Sequence, residues 1–176
     1  GCDMAVSLRD ARQSHEDRQW IERAYREYLD DLGAGGTGVF PALAVTGQGP
    51  RELLGSWFRD QRSMPFVILR GGERAGFALV QQTSVPGSGP LATFRLTEFF
   101  VSGPMRRLGV GGEAARLLFD RFQGQWLVPE STRHRQAVEF WRRVIRDYTR
   151  GRYRERLAGD ELQQTFTSRS EADDQA

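Results

Sequence analysis

The run Val101-Ser102-Gly103-Pro104-Met105-Arg106-Arg107-Leu108-Gly109-Val110-Gly111-Gly112 joins a stretch patterned as a strand to one patterned as a helix. Glycines at such a junction let the backbone turn tightly and come close to a ligand, while the helix's unpaired amides and positive dipole end attract negative charge. The expected ligand is an anion, a phosphate above all. Just upstream, Glu98 is the one carboxylate in the predicted strand Thr93 to Val101. Strict alternation places it on a face with Phe94, Leu96 and Phe100, where desolvation would lift its pKa toward the working range of a general base. Tyr148, and after it Tyr153, are the candidate general acids.

What the sequence lacks narrows the chemistry further. It has no Lys and no Asn, so all 25 basic residues are Arg, and neither a Schiff base nor a Walker-type phosphate lysine can be built. Against 23 acids they leave a formal charge of +2, too balanced to predict nucleic-acid binding. The single Cys2 forms no internal disulfide and, beside Gly1, is a poor candidate nucleophile, while His15 and His134 stand too far apart to assemble a ligand cluster, so no metal is expected. No apolar run reaches the 18 or so residues of a membrane span and no leader pattern opens the chain, which predicts a cytoplasmic protein with no membrane partner. The segment Arg133 to Arg156 holds nine Arg against three acids and reads as a solvated helix face, with a phosphate or an acidic partner as its other reading.

These groups must be positioned by a fold, and the 176 residues, 39% hydrophobic and 27% charged, predict one globular domain over 1–169 followed by a mobile acidic tail at 170–176. A first strand near Met4 to Arg9 leads to Ser14-His15-Glu16-Asp17, a capping-box pattern, and to a helix with Ile21, Ala24, Tyr25, Tyr28 and Leu32 on one stripe. Gly33 to Gly49 reads as a glycine-rich loop, and Pro50 as the start of a helix carrying Leu53, Leu54, Trp57 and Phe58. Phe66 to Leu69, Ala75 to Val80 and Thr93 to Val101 form a predicted meander, with Gly71-Gly72 as a hairpin turn. Further on come a helix with Ala115, Leu118, Phe119 and Phe122, a strand Gln125 to Val128, a helix with Ala137, Phe140, Trp141, Val144 and Ile145, and a closing strand Leu162 to Ser168. This succession is an α/β (α+β) class.

Two families of anion site share such glycines. Gly109-Val110-Gly111-Gly112-Glu113-Ala114 fits the dinucleotide fingerprint, even to an acid about 20 residues on at Glu130. Against it, seven residues separate Val101 from Gly109, and too little chain follows for a parallel-sheet half. The same run closely resembles the acetyl-CoA motif of the GNAT-superfamily N-acetyltransferases, in which an apolar strand end and a turn precede [RQ]-x-x-G-x-[GA], met here by Arg106-Arg107-Leu108-Gly109-Val110-Gly111. The order of elements from Met4 to Ser168 fits as well, and Glu98-Phe99-Phe100-Val101 through Phe140-Trp141-Arg142-Arg143 looks like a small bacterial branch of that superfamily.

The resemblance implies a mixed, splayed central sheet of about six to seven strands flanked by about four helices, with acetyl-CoA as co-substrate in a wedge between the fourth and fifth strands. The CoA pyrophosphate would sit on the amides of Arg107, Leu108, Gly109, Val110, Gly111 and Gly112, with the guanidinium groups of Arg106 and Arg107 adding charge. Pantetheine would pair with the backbone at Phe99 and Val101, and the acetyl group would pass directly to a small-molecule or peptide amine, the protein being a monomer or homodimer. His134 stands where the family pattern has a CoA-contacting Asn, and Trp141 where it often has a tyrosine acid; indole is a donor that does not release its proton. A non-catalytic CoA-binding or protein-interaction module of the same fold is the alternative these departures raise.

Overall fold

The computed structural model describes residues 4–33 and 50–168; Cys2, the glycine-rich stretch at 34–49 and the acidic tail at 170–176 lie outside the described residues. Ser14 opens the first helix, α1 (His15–Gly33), its Oγ accepting from the Asp17 amide at 3.2 Å. Asp17 does not return the bond as a capping box would. Its fully buried carboxylate instead accepts from Arg9 Nε at 2.7 Å and Nη2 at 2.8 Å and from Arg74 Nε at 2.9 Å, which ties α1 to strands β1 (Val6–Asp10) and β3 (Glu73–Gln82). Pro50 is the first residue of α2 (Pro50–Arg59), which buries Leu54 and Trp57 beside the Ile21, Ala24, Tyr25 and Tyr28 stripe of α1.

Strand β2 (Ser63–Arg70) turns into β3 through Gly71 and Gly72, both at positive φ (58° and 84°), the conformation that a two-residue hairpin requires. Then follow β4 (Thr93–Val101), α3 (Val110–Arg121), β5 (Gly124–Ser131), α4 (Arg135–Thr149), β6 (Arg154–Ala158) and β7 (Glu161–Ser168). They build one seven-stranded sheet in the order β1-β2-β3-β4-β5-β7-β6, antiparallel throughout except for β4 against β5. One apolar layer packs α3 and α4 on the sheet, and the other packs α1 and α2. No helix among the described residues is long and apolar enough to cross a membrane.

Two features of β4 decide where a ligand can go. Its parallel pairing with β5 covers only Thr93–Arg95 against Gln125–Leu127, beyond which the strands part. Its pairing with β3 shifts register: Leu79 faces Glu98 while Val80 faces Leu96, so Thr97 is an inserted residue, a β-bulge. The bulge reverses the alternation of the strand. Phe94 and Leu96 before it, and Phe99 and Val101 after it, belong to the α3/α4 layer, whereas Phe100 belongs to the α1/α2 layer. The expectation that Glu98 shares a face with Phe94 and Leu96 is therefore corrected: of the three apolar residues named, it keeps company with Phe100 alone.

The Ser102 amide donates to the Ala75 carbonyl at 2.8 Å, so alternation gives the ladder bonds to β3 to Phe100 and Glu98 and turns the backbone groups of Phe99 and Val101 toward the opening. β3 can approach this part of β4 only because residue 76 is glycine, since a Cβ there would overlap the Phe100 carbonyl. Gly76→Ala should accordingly cost more than ~2 kcal/mol, read from the urea midpoint, while Gly103→Ala, which meets nothing within 4 Å, should cost under ~0.5 kcal/mol.

Candidate active site

On the α1/α2 side of β4, Glu98 is fully buried and its Oε2 accepts from the Tyr28 hydroxyl at 2.5 Å, a contact that spans 70 residues of sequence. Tyr28 sits among rings, 5.5 Å from Tyr25, 5.4 Å from Phe77 and 5.8 Å from Phe100, centroid to centroid. Burial, then the Glu98 charge, then the hydrogen bond to Glu98 push the Tyr28 phenol well above its ordinary pKa, the Phe99 amide on the same oxygen acting weakly the other way. Tyr25 is raised by burial first and by Glu98 second. The hydroxyl of Tyr25 and the indole nitrogen of Trp57 are buried without a partner among the described residues.

On the other side of β4 the Phe99 ring meets Trp141 edge to face at 4.9 Å and Phe140 at 6.3 Å. Phe140 in turn lies against the start of α3. A Cβ on Gly111 would stand 3.0 Å from Phe140 Cζ, so this glycine is small to admit a ring of the protein itself. Gly112 has only an ordinary 3.8 Å neighbour in Val144, and Gly109, the N-cap, holds φ of 76°. The first bond of α3 runs from the Glu113 amide to the Gly109 carbonyl at 3.2 Å, so the amides of Val110, Gly111 and Gly112 precede the helical ladder.

The arginines of the motif differ in role. Arg106 Nε donates to the Val101 carbonyl at 2.9 Å and its guanidinium lies 5.7 Å from the Phe100 centroid, which folds the loop back on β4 and occupies that carbonyl. Arg107 adopts φ of 61°, and Leu108 beside it is half exposed. His134 is the N-cap of α4, its carbonyl accepting from the Val138 amide at 3.1 Å, while Nδ1 is buried with no partner among the described residues.

The two tyrosines proposed as acids stand elsewhere. Tyr148 donates to Asp120 Oδ1 at 2.8 Å, packs on Phe119 and Phe166, and with Tyr153 lines a groove of about 1210 Å³ that also touches Thr93 and Gln125 at the opposite ends of β4 and β5. Thr93 is five strand residues, roughly 16 Å, from Glu98, so the structure does not bring these phenols to the carboxylate. Of the arginine-rich segment, Arg150, Arg152 and Arg154 line the same groove, whereas Arg142 Nε donates to Glu155 at 2.7 Å.

Glu130, read in the sequence as a possible ribose ligand, is fully buried on β5 with both oxygens unpartnered among the described residues, out of reach of any ribose. Burial pushes its pKa up to about 9; the Gln164 amide opposes this, the Glu155 charge adds to it and Arg142 subtracts. Holding a proton, Glu130 becomes a donor beside the equally unpartnered Gln164 Oε1. The carboxyl titrates near 4.5 when unfolded, so between 4.5 and about 9 folding takes up a proton and stability falls as pH rises, by at most ~1.4 kcal/mol per pH unit. Glu130→Leu should remove this dependence and be more stable than the parent at pH 8, with the gap shrinking toward pH 5 in urea melts.

No family model matches the sequence, and no curated protein matches it. Solved structures do. An acetyltransferase from Thermus thermophilus superposes with a TM-score of 0.64 at 14% identity, over 95% of this chain and 99% of that one. NAA60 from Arabidopsis thaliana, solved in complex with acetyl-CoA, gives 0.61 at 10% identity over 93% and 98%. A Desulfovibrio desulfuricans protein described as an acetyltransferase of the GNAT family gives 0.53 at 15% over 94% and 100%. Sheet order, parting strands and helix placement together show that this chain has the fold of the GNAT acetyltransferases.

Proposed function

We propose that the protein is an acetyl-CoA-dependent N-acetyltransferase that passes the acetyl group directly to an amine in a ternary complex. The observation that carries this reading is the opening between β4 and β5, bordered by the outward-facing backbone of Phe99 and Val101 and by the leading amides of α3. These residues fit acetyl-CoA: the amides of Val110 to Gly112 neutralise its pyrophosphate without a lysine, and Phe140 keeps the entry beside Gly111 narrow. Bound acetyl-CoA supplies an activated thioester. With the Val101 carbonyl committed to Arg106, the Val101 amide is the donor that polarises the acetyl carbonyl. Arg107 adds charge at the cradle and His134 Nδ1 supplies the polar contact on α4.

Glu98 is the base. Because it is wholly buried and already accepts a hydrogen bond from the Tyr28 hydroxyl, the amine's proton moves to the Tyr28 oxygen as the Tyr28 proton moves to Glu98. Tyr148 has no part in this reading. The acceptor is a small-molecule or peptide amine, met in the cytoplasm by a monomer or homodimer. A CoA-binding module without turnover is the second reading, favoured by the indole at 141 and by the burial of Glu98; it predicts no release of free CoA across a panel of amines.

Calorimetry should show acetyl-CoA binding and no heat with NAD(P). Gly112→Asp, whose side chain has room, should fold normally and bind acetyl-CoA more than tenfold more weakly, a loss above ~1.4 kcal/mol, whereas unchanged affinity would move the phosphates elsewhere. Glu98→Gln should lower turnover by roughly 10² or more with little change in acetyl-CoA affinity, and Tyr28→Phe, which breaks the same relay, should lower it to a similar degree.

A further inference from the structure

Trp141 is fully buried, and its indole N–H has no hydrogen-bond partner among the described residues. Leaving such a donor unpaired is costly, because its hydration is lost and nothing replaces it. The contrast within the molecule is Trp126, equally buried, whose indole N–H donates to the Phe122 carbonyl at 2.7 Å and to Ser168 Oγ at 3.1 Å.

The place of the unpaired donor is specific. The Trp141 ring lies edge to face against both Phe99 and Phe140, each at 4.9 Å, and Phe140 abuts Gly111 at the head of α3. Phe99 follows Glu98 directly, on the opposite face of β4. The base and the indole thus flank one point of the strand from its two sides, and the indole stands on the side that continues to the anion cradle. A ligand entering from that cradle along Phe99 and Val101 brings its reactive end between them.

We propose that the Trp141 indole N–H donates a hydrogen bond to the sulfur of acetyl-CoA and holds it as a thiolate when it leaves, an assignment that rests on the acetyltransferase reading above. As the acceptor nitrogen bonds to the acyl carbon, the carbon–sulfur bond breaks with its electron pair passing to sulfur, and the amine's proton goes through Tyr28 to Glu98. Indole keeps its own proton. The thiolate gains a proton from solvent after release, so the reaction requires no general acid, in keeping with the distance of Tyr148 and Tyr153 from Glu98. A charge-assisted hydrogen bond to the anion is the stronger kind, so this donor favours thiolate over thiol.

The indole N–H resonances of the four tryptophans in ¹⁵N-labelled protein test this directly, with Trp126 as an internal reference and Trp141 assigned by its loss in Trp141→Phe. On addition of CoA the Trp141 resonance should move downfield, and on addition of desulfo-CoA it should stay. Thiolate absorbance in the ultraviolet should show bound CoA ionising about one pH unit lower on the parent than on Trp141→Phe, a tenfold change in acidity. Should that variant not fold, the comparison of CoA with desulfo-CoA on the parent decides alone. If the amides of Val110 to Gly112 shift with CoA while the Trp141 indole does not, the assignment to sulfur is overturned and the acetyl-CoA reading stands. If neither responds, both are overturned.

Discussion

The inserted residue Thr97 is the constraint on which the site depends. A bulge bends its strand and increases the local twist, and here it comes two residues after the last pairing of β4 with β5. It also changes which face each later side chain meets. Without it, strict alternation would place Glu98 with Phe94 and Leu96 in the α3/α4 layer, and the Phe99 ring would leave Trp141 and Phe140. With it, the carboxylate goes to the aromatic layer under α1 and α2, and an apolar ring goes to the layer that the α3 amides adjoin. One insertion thereby sets the buried carboxylate and the side proposed for the cofactor on opposite faces of one strand.

The electrostatics follow from a chain without lysine. Arginine forks suit carboxylates and carbonyls, and several are committed to structure: Arg9 and Arg74 to Asp17, Arg106 to Val101, and Arg142 to Glu155. In the proposed acetyl-CoA site, neutralising phosphate would fall chiefly to backbone amides, which need no counter-ion and are fixed by the helix they begin. The buried acids divide by their partners. Asp17, held by two guanidinium groups, has its pKa lowered by the Arg9 hydrogen bond against the effect of burial, whereas Glu130, with no comparable partner, is pushed up by burial.

Much of this was legible in local sequence because local rules govern it. Ser14, Pro50 and Gly71-Gly72 announced their helix starts and their hairpin, and the glycine spacing at 101–112 marked the junction of β4 with α3. The bulge was hidden because β4 is buried on both faces from Leu96 onward, polar Thr97 and Glu98 included, so periodicity does not declare which residue is extra. Strand β6 was missed because Arg154, Glu155 and Arg156 carry no apolar alternation; it is an exposed edge paired only with β7. The Tyr28–Glu98 bond joins residues 70 apart, and the reason for Gly111 lies in Phe140, so neither contact could be inferred from spacing. Tyr148 had the right chemistry for an acid and the wrong end of the helix.

The most direct measurement of the central claim is amide hydrogen exchange with and without acetyl-CoA. Acetyl-CoA bound between β4 and β5 should slow exchange at Val101 and at Val110 to Gly112 and leave the groove around Arg150 to Arg154 unaffected. Slowing confined to that groove, or none at all, would contradict the placement of acetyl-CoA between β4 and β5.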